Sequence, residues 1–116
     1  MKKNTGPATP REQKLVQDIF QYLQENVNAE ANTIAAHFGI FANFFHDRYT
    51  TVTGETLEDT RTKIILLRAI NDAIKNNKTI KQVSDEIFYS SVHSFSRAFK
   101  KYFGVPPGQY MKNKKR

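Results

Sequence analysis

The chain has 116 residues, 39% of them hydrophobic, with no cysteine and a formal net charge of +7. That length allows one compact domain or two small cores, and the missing cysteine excludes a disulfide framework and any thiolate metal site. No run of about 18 apolar residues is present to span a bilayer, and nothing near Met1 has the apolar character of a secretory signal, so a cytoplasmic protein is expected.

The charge is unevenly placed. Residues 1 to 60 hold five cations (Lys2, Lys3, Arg11, Lys14 and Arg48) against eight acids, a net of −3. Residues 61 to 116 hold 13 cations against Asp72, Asp85 and Glu86, a net of +10. A half this basic points to a polyanionic partner.

Residues 1–8 read as a flexible leader. Thr9, Pro10 and Glu12 then form a helix start, with a capping box and a proline at the first helical position. Leu15, Val16, Ile19, Phe20, Leu23 and Val27 recur at helical spacing and predict one inward face. A second helix is predicted from about Ala29 to Phe38, with Ala31, Ile34, Ala35 and Phe38 inward and Gly39 as its stop. A third is predicted from about Ala42 to Thr51, with Phe41, Phe45 and Tyr49 inward and Gly54 closing it. Thr56 and Asp59 cap a long helix to about Asn76 that carries Leu57, Ile64, Leu67, Ile70 and Ile74; at 1.5 Å per residue it is on the order of 30 Å long. Thr79 and Gln82 make a second capping box before Ile80, Val83 and Ile87. Ser90 or Ser91 caps the next helix, whose seam is Val92, Phe95, Ala98, Phe99 and Phe103 and whose end is Gly104. Pro106 and Pro107 break the chain before a short turn or helix at Gln109 to Met111, and the end of the chain is expected to fray. No strand alternation is present, so the fold class is all-α with about seven helices.

The two halves match each other. Ile34 and Ile40 align with Val83 and Tyr89 at an offset of 49, and Phe45, Tyr49 and Gly54 align with Phe95, Phe99 and Gly104 at an offset of 50. This predicts a helix-turn-helix unit over 9–55, a linker helix over 56–77, a second unit over 78–111 and a basic tail over 112–116. In such a unit the second helix enters the major groove, and successive grooves on one face of B-DNA recur about every 34 Å. A spacer on the order of 30 Å suits that repeat.

The run from Thr79 to Tyr110 resembles the second helix-turn-helix of AraC/XylS transcription regulators, of the short single-domain MarA/SoxS/Rob-like type. Phe95, Ser96, Arg97, Phe99, Lys100, Phe103, Gly104, Pro107 and Tyr110 carry the resemblance, and a weaker match extends back to about Arg11. It implies a bacterial, nucleoid-associated transcription factor, often an activator that also touches RNA polymerase. It also implies that Val92, His93, Ser94 and Arg97 face base edges, while nearby hydroxyls and lysines meet phosphate, and the expected DNA-binding residues of this unit are Ser91, Val92, His93, Ser94, Arg97, Lys100 and Lys101.

Side-chain chemistry agrees with that assignment. Arg97 is suited to a bidentate bond with guanine O6 and N7, worth about 1–3 kcal/mol of discrimination, and Val92 to a thymine methyl. Lys100 and Lys101 neutralise phosphate without reading sequence. In the first unit Asn43, Phe44 and His46 occupy the matching groove-facing places, but Asp47 stands where Arg97 would, with Arg48 beside it as partial compensation. Phe41 replaces a capping serine, and Phe88 stands where the family favours glycine.

His37, His46 and His93 form no metal-binding spacing, and no nucleophile is paired with a base, so neither catalytic residues, metal nor cofactor is expected. The expected function is that of a monomeric, sequence-specific double-stranded DNA-binding regulator. The rival is a protein-interaction module whose acidic first half docks on RNA polymerase or another regulator while only the second unit contacts DNA.

Overall fold

The computed structural model describes residues 6–87 and 89–114, and these form eight helices and no strand. The chain divides into two compact units, Met1–Ile64 and Ile65–Arg116, each with its own core.

In the first unit, α1 spans Pro10–Glu25. The Thr9 hydroxyl accepts from the Glu12 amide at 3.1 Å, and the Thr9 amide donates to Glu12 Oε1 at 3.1 Å, so two orphan helix-end donors are satisfied locally. Ile19 and Leu23 are fully buried. Phe20, expected inward, is 42% exposed; it follows Ile19 by one residue and so turns about 100° off the buried seam. Next, α2 spans Ala31–Phe38 and buries Ile34 and Ala35. Gly39 ends it at φ 66°, a conformation that costs a residue with a Cβ.

The single third helix predicted from the sequence is two short ones, α3 over Phe44–Asp47 and α4 over Tyr49–Thr53, broken at Arg48. Phe41, expected inward, is 85% exposed. With no side chain capping it, α3 begins only at Phe44, and Phe41 is left in the turn outside the helical periodicity. Tyr49 is buried, and its hydroxyl lies 2.5 Å from Thr60 Oγ1. Thr60 donates onward to Glu55 Oε2 at 2.5 Å, so Tyr49 is the donor of the pair, and Lys63 closes the chain on Glu55 at 2.7 Å. Burial pushes the Tyr49 phenol above its usual range.

The long α5 spans Leu57–Asn76. Thr56 and Asp59 exchange amide-to-side-chain bonds of 3.2 and 3.1 Å at its start. Asn77, at φ 53°, turns the chain out of the helix; asparagine tolerates this left-handed region better than most residues. Ile64 joins the first core, whereas Leu66, Ile70 and Ala73 belong to the second. Leu66 and Ala73 were absent from the expected set; 66, 70 and 73 form the i, i+4, i+7 stripe that faces the second core.

In the second unit, α6 spans Ile80–Glu86, α7 Val92–Phe103 and α8 Pro107–Lys114. Val83, Phe95 and Phe99 are buried together with the α5 residues. The Phe99 ring lies 4.6 Å from Phe103 and 5.4 Å from Tyr110, between centroids. That contact ties α8 to α7, and α8 runs well past the short turn expected at 109–111. Residues 112–114, expected to fray, are helical. The expectations for residues 1–5, Phe88, Lys115 and Arg116 lie outside the described residues.

Candidate nucleic-acid interface

The second unit builds its helix-turn-helix from four local devices. Thr79 caps α6 reciprocally with Gln82, at 3.1 and 2.8 Å. In the connecting turn the Tyr89 amide donates to the Ser84 carbonyl at 2.9 Å. Ser91 caps α7, its hydroxyl accepting from the Ser94 amide at 3.0 Å. Gly104, at φ 80°, ends α7 with its amide on the Lys100 carbonyl at 2.8 Å.

This rotates α7 into two unlike faces. Phe95 and Phe99 are fully buried, while His93, Arg97, Lys100 and Lys101 recur at i, i+4, i+7 and i+8 on the exposed side. Ser91 and Val92 are exposed at the helix start, and Ser94 is half-buried with its amide and hydroxyl engaged by Ser91. Ser96, absent from the expected site residues, is half-exposed at the border of the same face. Its position 100° from Phe95 is the signal that would have placed it there.

The charge on that face has no ion-pair partner among the described residues. The unit's acids are engaged elsewhere: Lys78 bridges Asp72 at 2.7 Å and Glu86 at 3.1 Å, and Lys81 pairs with Asp85 at 3.1 Å. The Lys78 hydrogen bond holds the Asp72 carboxyl below the usual carboxylate range. Among the described residues none of the ion pairs involves Arg97, Lys100 or Lys101. Lys101 Nζ lies 5.3 Å from the centroid of the Tyr102 ring.

The corresponding segment of the first unit has different chemistry. Asn43 and His46 are exposed, whereas Phe44 is half-buried against the core, its ring centroid 6.4 Å from that of Tyr49. His46 Nδ1 lies 2.7 Å from Asp47 Oδ1. Arg48 does not compensate Asp47 toward solvent. It is buried, with Nε and Nη2 each 2.7 Å from the two Glu12 carboxylate oxygens, and it donates to the Gly6 and Pro7 carbonyls at 3.0 and 3.3 Å. At the repeat offset Arg48 occupies the place of Ala98, a packing position, and a guanidinium there needs a fixed anion. The Arg48 hydrogen bond, with the Thr9 amide assisting, lowers the Glu12 carboxyl to about 2. The expected partial compensation is therefore corrected: residues 41–54 present no exposed lysine or arginine.

Among the described residues no group of three or more His, Cys, Asp or Glu side chains is arranged to hold a metal, and no helix is long and apolar enough to cross a membrane. A family model described as a helix-turn-helix domain matches residues 34–113, which include the turn and second helix of both copies. The chain belongs to the AraC/XylS family. As a family member it is a DNA-binding transcription regulator, from a family that is not one of enzymes, and its partner is double-stranded DNA. The regulatory protein SoxS of Escherichia coli strain K12 is 27% identical over 100 residues, covering 84% of this chain and 94% of that protein; SoxS of the O157:H7 strain matches equally. The C-terminal domain of AraT, a response regulator from Geobacillus stearothermophilus, shares the fold with a TM-score of 0.54 at 23% identity, covering 90% of this chain and 86% of that one.

Proposed function

We propose that this AraC/XylS protein is a sequence-specific regulator that inserts α7 into the major groove. Arg97 reads guanine, and Val92, His93 and Ser94 meet neighbouring base edges. Ser91, Lys100 and Lys101 grip phosphate. Asn43 and His46 of the first unit make weaker contacts, with Phe44 supporting them from the core side. The protein acts as a monomer in the bacterial cytoplasm, and activation with RNA polymerase as a second partner is the direction its resemblance supports.

The observation that carries this reading is the face of α7 opposite Phe95 and Phe99: exposed, cationic and without ion pairs among the described residues. Few structural demands explain three unpaired cations on one side of a core helix, whereas a phosphate backbone does. The test is selection of duplexes from a random library by the full-length protein, followed by titration of Arg97→Ala. Loss of one bidentate base contact weakens binding about 5- to 150-fold and erases the preference at one guanine. Unchanged affinity and an unchanged selected sequence overturn the assignment.

A second reading is favoured by a specific observation. With Arg48 buried on Glu12 and Asp47 in the place of Arg97, the second helix of the first unit offers no phosphate grip. In that reading the first unit docks on RNA polymerase or another regulator, and only the second unit holds DNA.

A further inference from the structure

Phe41 is the most exposed large hydrophobic residue among those described, at 85%, against 42% for Phe20, 39% for Val92 and 36% for Ile65. It stands in the turn ahead of α3, at the repeat position of Ser91. Ser91 caps α7; Phe41 caps nothing, and α3 has no side-chain cap at all. The free protein thus bears two local costs at one position, a lost cap and an apolar ring in water, and burial of the ring in a complex offsets the second.

The surroundings define what that complex contains. Phe41 lines a shallow hollow with Ile40, Asn43, Phe44 and Asp47. At the repeat offset Asp47 replaces Arg97, and Thr50 and Thr51 replace Lys100 and Lys101. Each of the three cations on the exposed face of α7 is therefore matched by a neutral or anionic group in the first unit. The substituted groups still suit base edges in the major groove: a carboxylate accepts from cytosine N4, an amide pairs with adenine, and an aromatic ring packs on the thymine methyl. Residues at the start of the second helix of a helix-turn-helix are those that meet base edges.

We infer that Phe41 is a specificity-determining residue that packs on the C5 methyl of a thymine, so that the first unit contributes base discrimination with almost no phosphate grip. The inference rests on the proposal that the first unit meets the duplex. Affinity and its salt dependence then belong to the second unit, and part of the sequence preference to the first.

The experiment uses the full-length protein and the duplex it selects from a random library. Each thymine is replaced singly by deoxyuridine, which deletes only the C5 methyl, and binding is followed by fluorescence anisotropy. For the unaltered protein, one deoxyuridine weakens binding about fourfold, the worth of one buried methyl group. Phe41→Ser becomes insensitive to that substitution while keeping the wild-type salt slope; Phe41→Leu retains partial sensitivity, and the melting curves of both variants show that they are folded. If no single deoxyuridine distinguishes the unaltered protein from Phe41→Ser, the inference is overturned. In that event Asn43→Ala and Asp47→Asn separate the causes: altered base preference in either variant leaves the first unit on DNA without Phe41, and no change in both removes the whole unit from the duplex. If Phe41→Ser abolishes transcription activation with DNA binding and deoxyuridine sensitivity intact, the ring belongs to a protein contact, which equally overturns the inference.

Discussion

Removing the Phe99 ring tests whether the second unit is an independently cored body that presents α7. Phe99 is fully buried and stacks with Phe95, Phe103 and Tyr110 at centroid distances of 6.1, 4.6 and 5.4 Å. Truncating such a ring to alanine costs about 3–5 kcal/mol through lost transfer energy and the cavity left behind. A unit of roughly 50 residues has about 3–8 kcal/mol of stability at 0.05–0.15 kcal/mol per residue. At the middle of both ranges the substitution removes about 4 of about 5.5 kcal/mol, and Phe99→Ala is expected to unfold the second unit at physiological temperature. Amide NMR spectra should lose the dispersed resonances of residues 65–114 and keep those of the first unit, whose core of Ile19, Leu23, Ile34, Tyr49 and Ile64 lacks Phe99. DNA binding should vanish together with the lost resonances. A variant that keeps the full dispersed spectrum, or one that loses both sets together, would refute the partition into two cores.

Two further predictions concern the first unit. The Glu12 carboxyl is lowered from its ordinary 4.5 to about 2, so its contribution to stability is fully present above pH 4.5 and is lost as the pH falls toward 2. Glu12→Gln keeps a side chain able to form the capping box; the thermal midpoint gap between it and the unaltered protein should hold from pH 7 to 5, narrow through pH 4.5 and close near pH 2, and a gap that persists at pH 2 contradicts the pairing with Arg48. Asp47→Arg separates the two readings of the first unit. A gain in DNA affinity, with the salt slope steeper by about 0.9, places that segment beside phosphate; unchanged DNA binding with loss of RNA polymerase recruitment assigns it to a protein partner.

What was legible in the sequence was local. The capping boxes at Thr9 and Thr79, the glycine stops at 39, 54 and 104, and the Phe95 and Phe99 seam depend on residues a few positions apart, and each formed where its spacing indicated. The burial of Arg48 was not legible, because its partner, Glu12, lies 36 residues away and a lone arginine in a helical pattern reads as surface. Phe41 was misplaced because its spacing to Phe45 assumes a helix that begins before it, and without a capping serine that helix starts at Phe44. The charge balance of α7 was only half visible: the sequence shows the cations and the i, i+4 spacing of Lys81 and Asp85, but the engagement of Asp72 and Glu86 by Lys78 requires the tertiary structure.

The claim on which the account depends is that the exposed face of α7 lies against a phosphate backbone. The direct measurement is the dependence of the binding constant on salt for the unaltered protein and for Lys100→Ala, with the same selected duplex. Loss of one phosphate contact should flatten the slope of log K against log salt by about 0.9. Equal slopes for the two proteins would contradict the account.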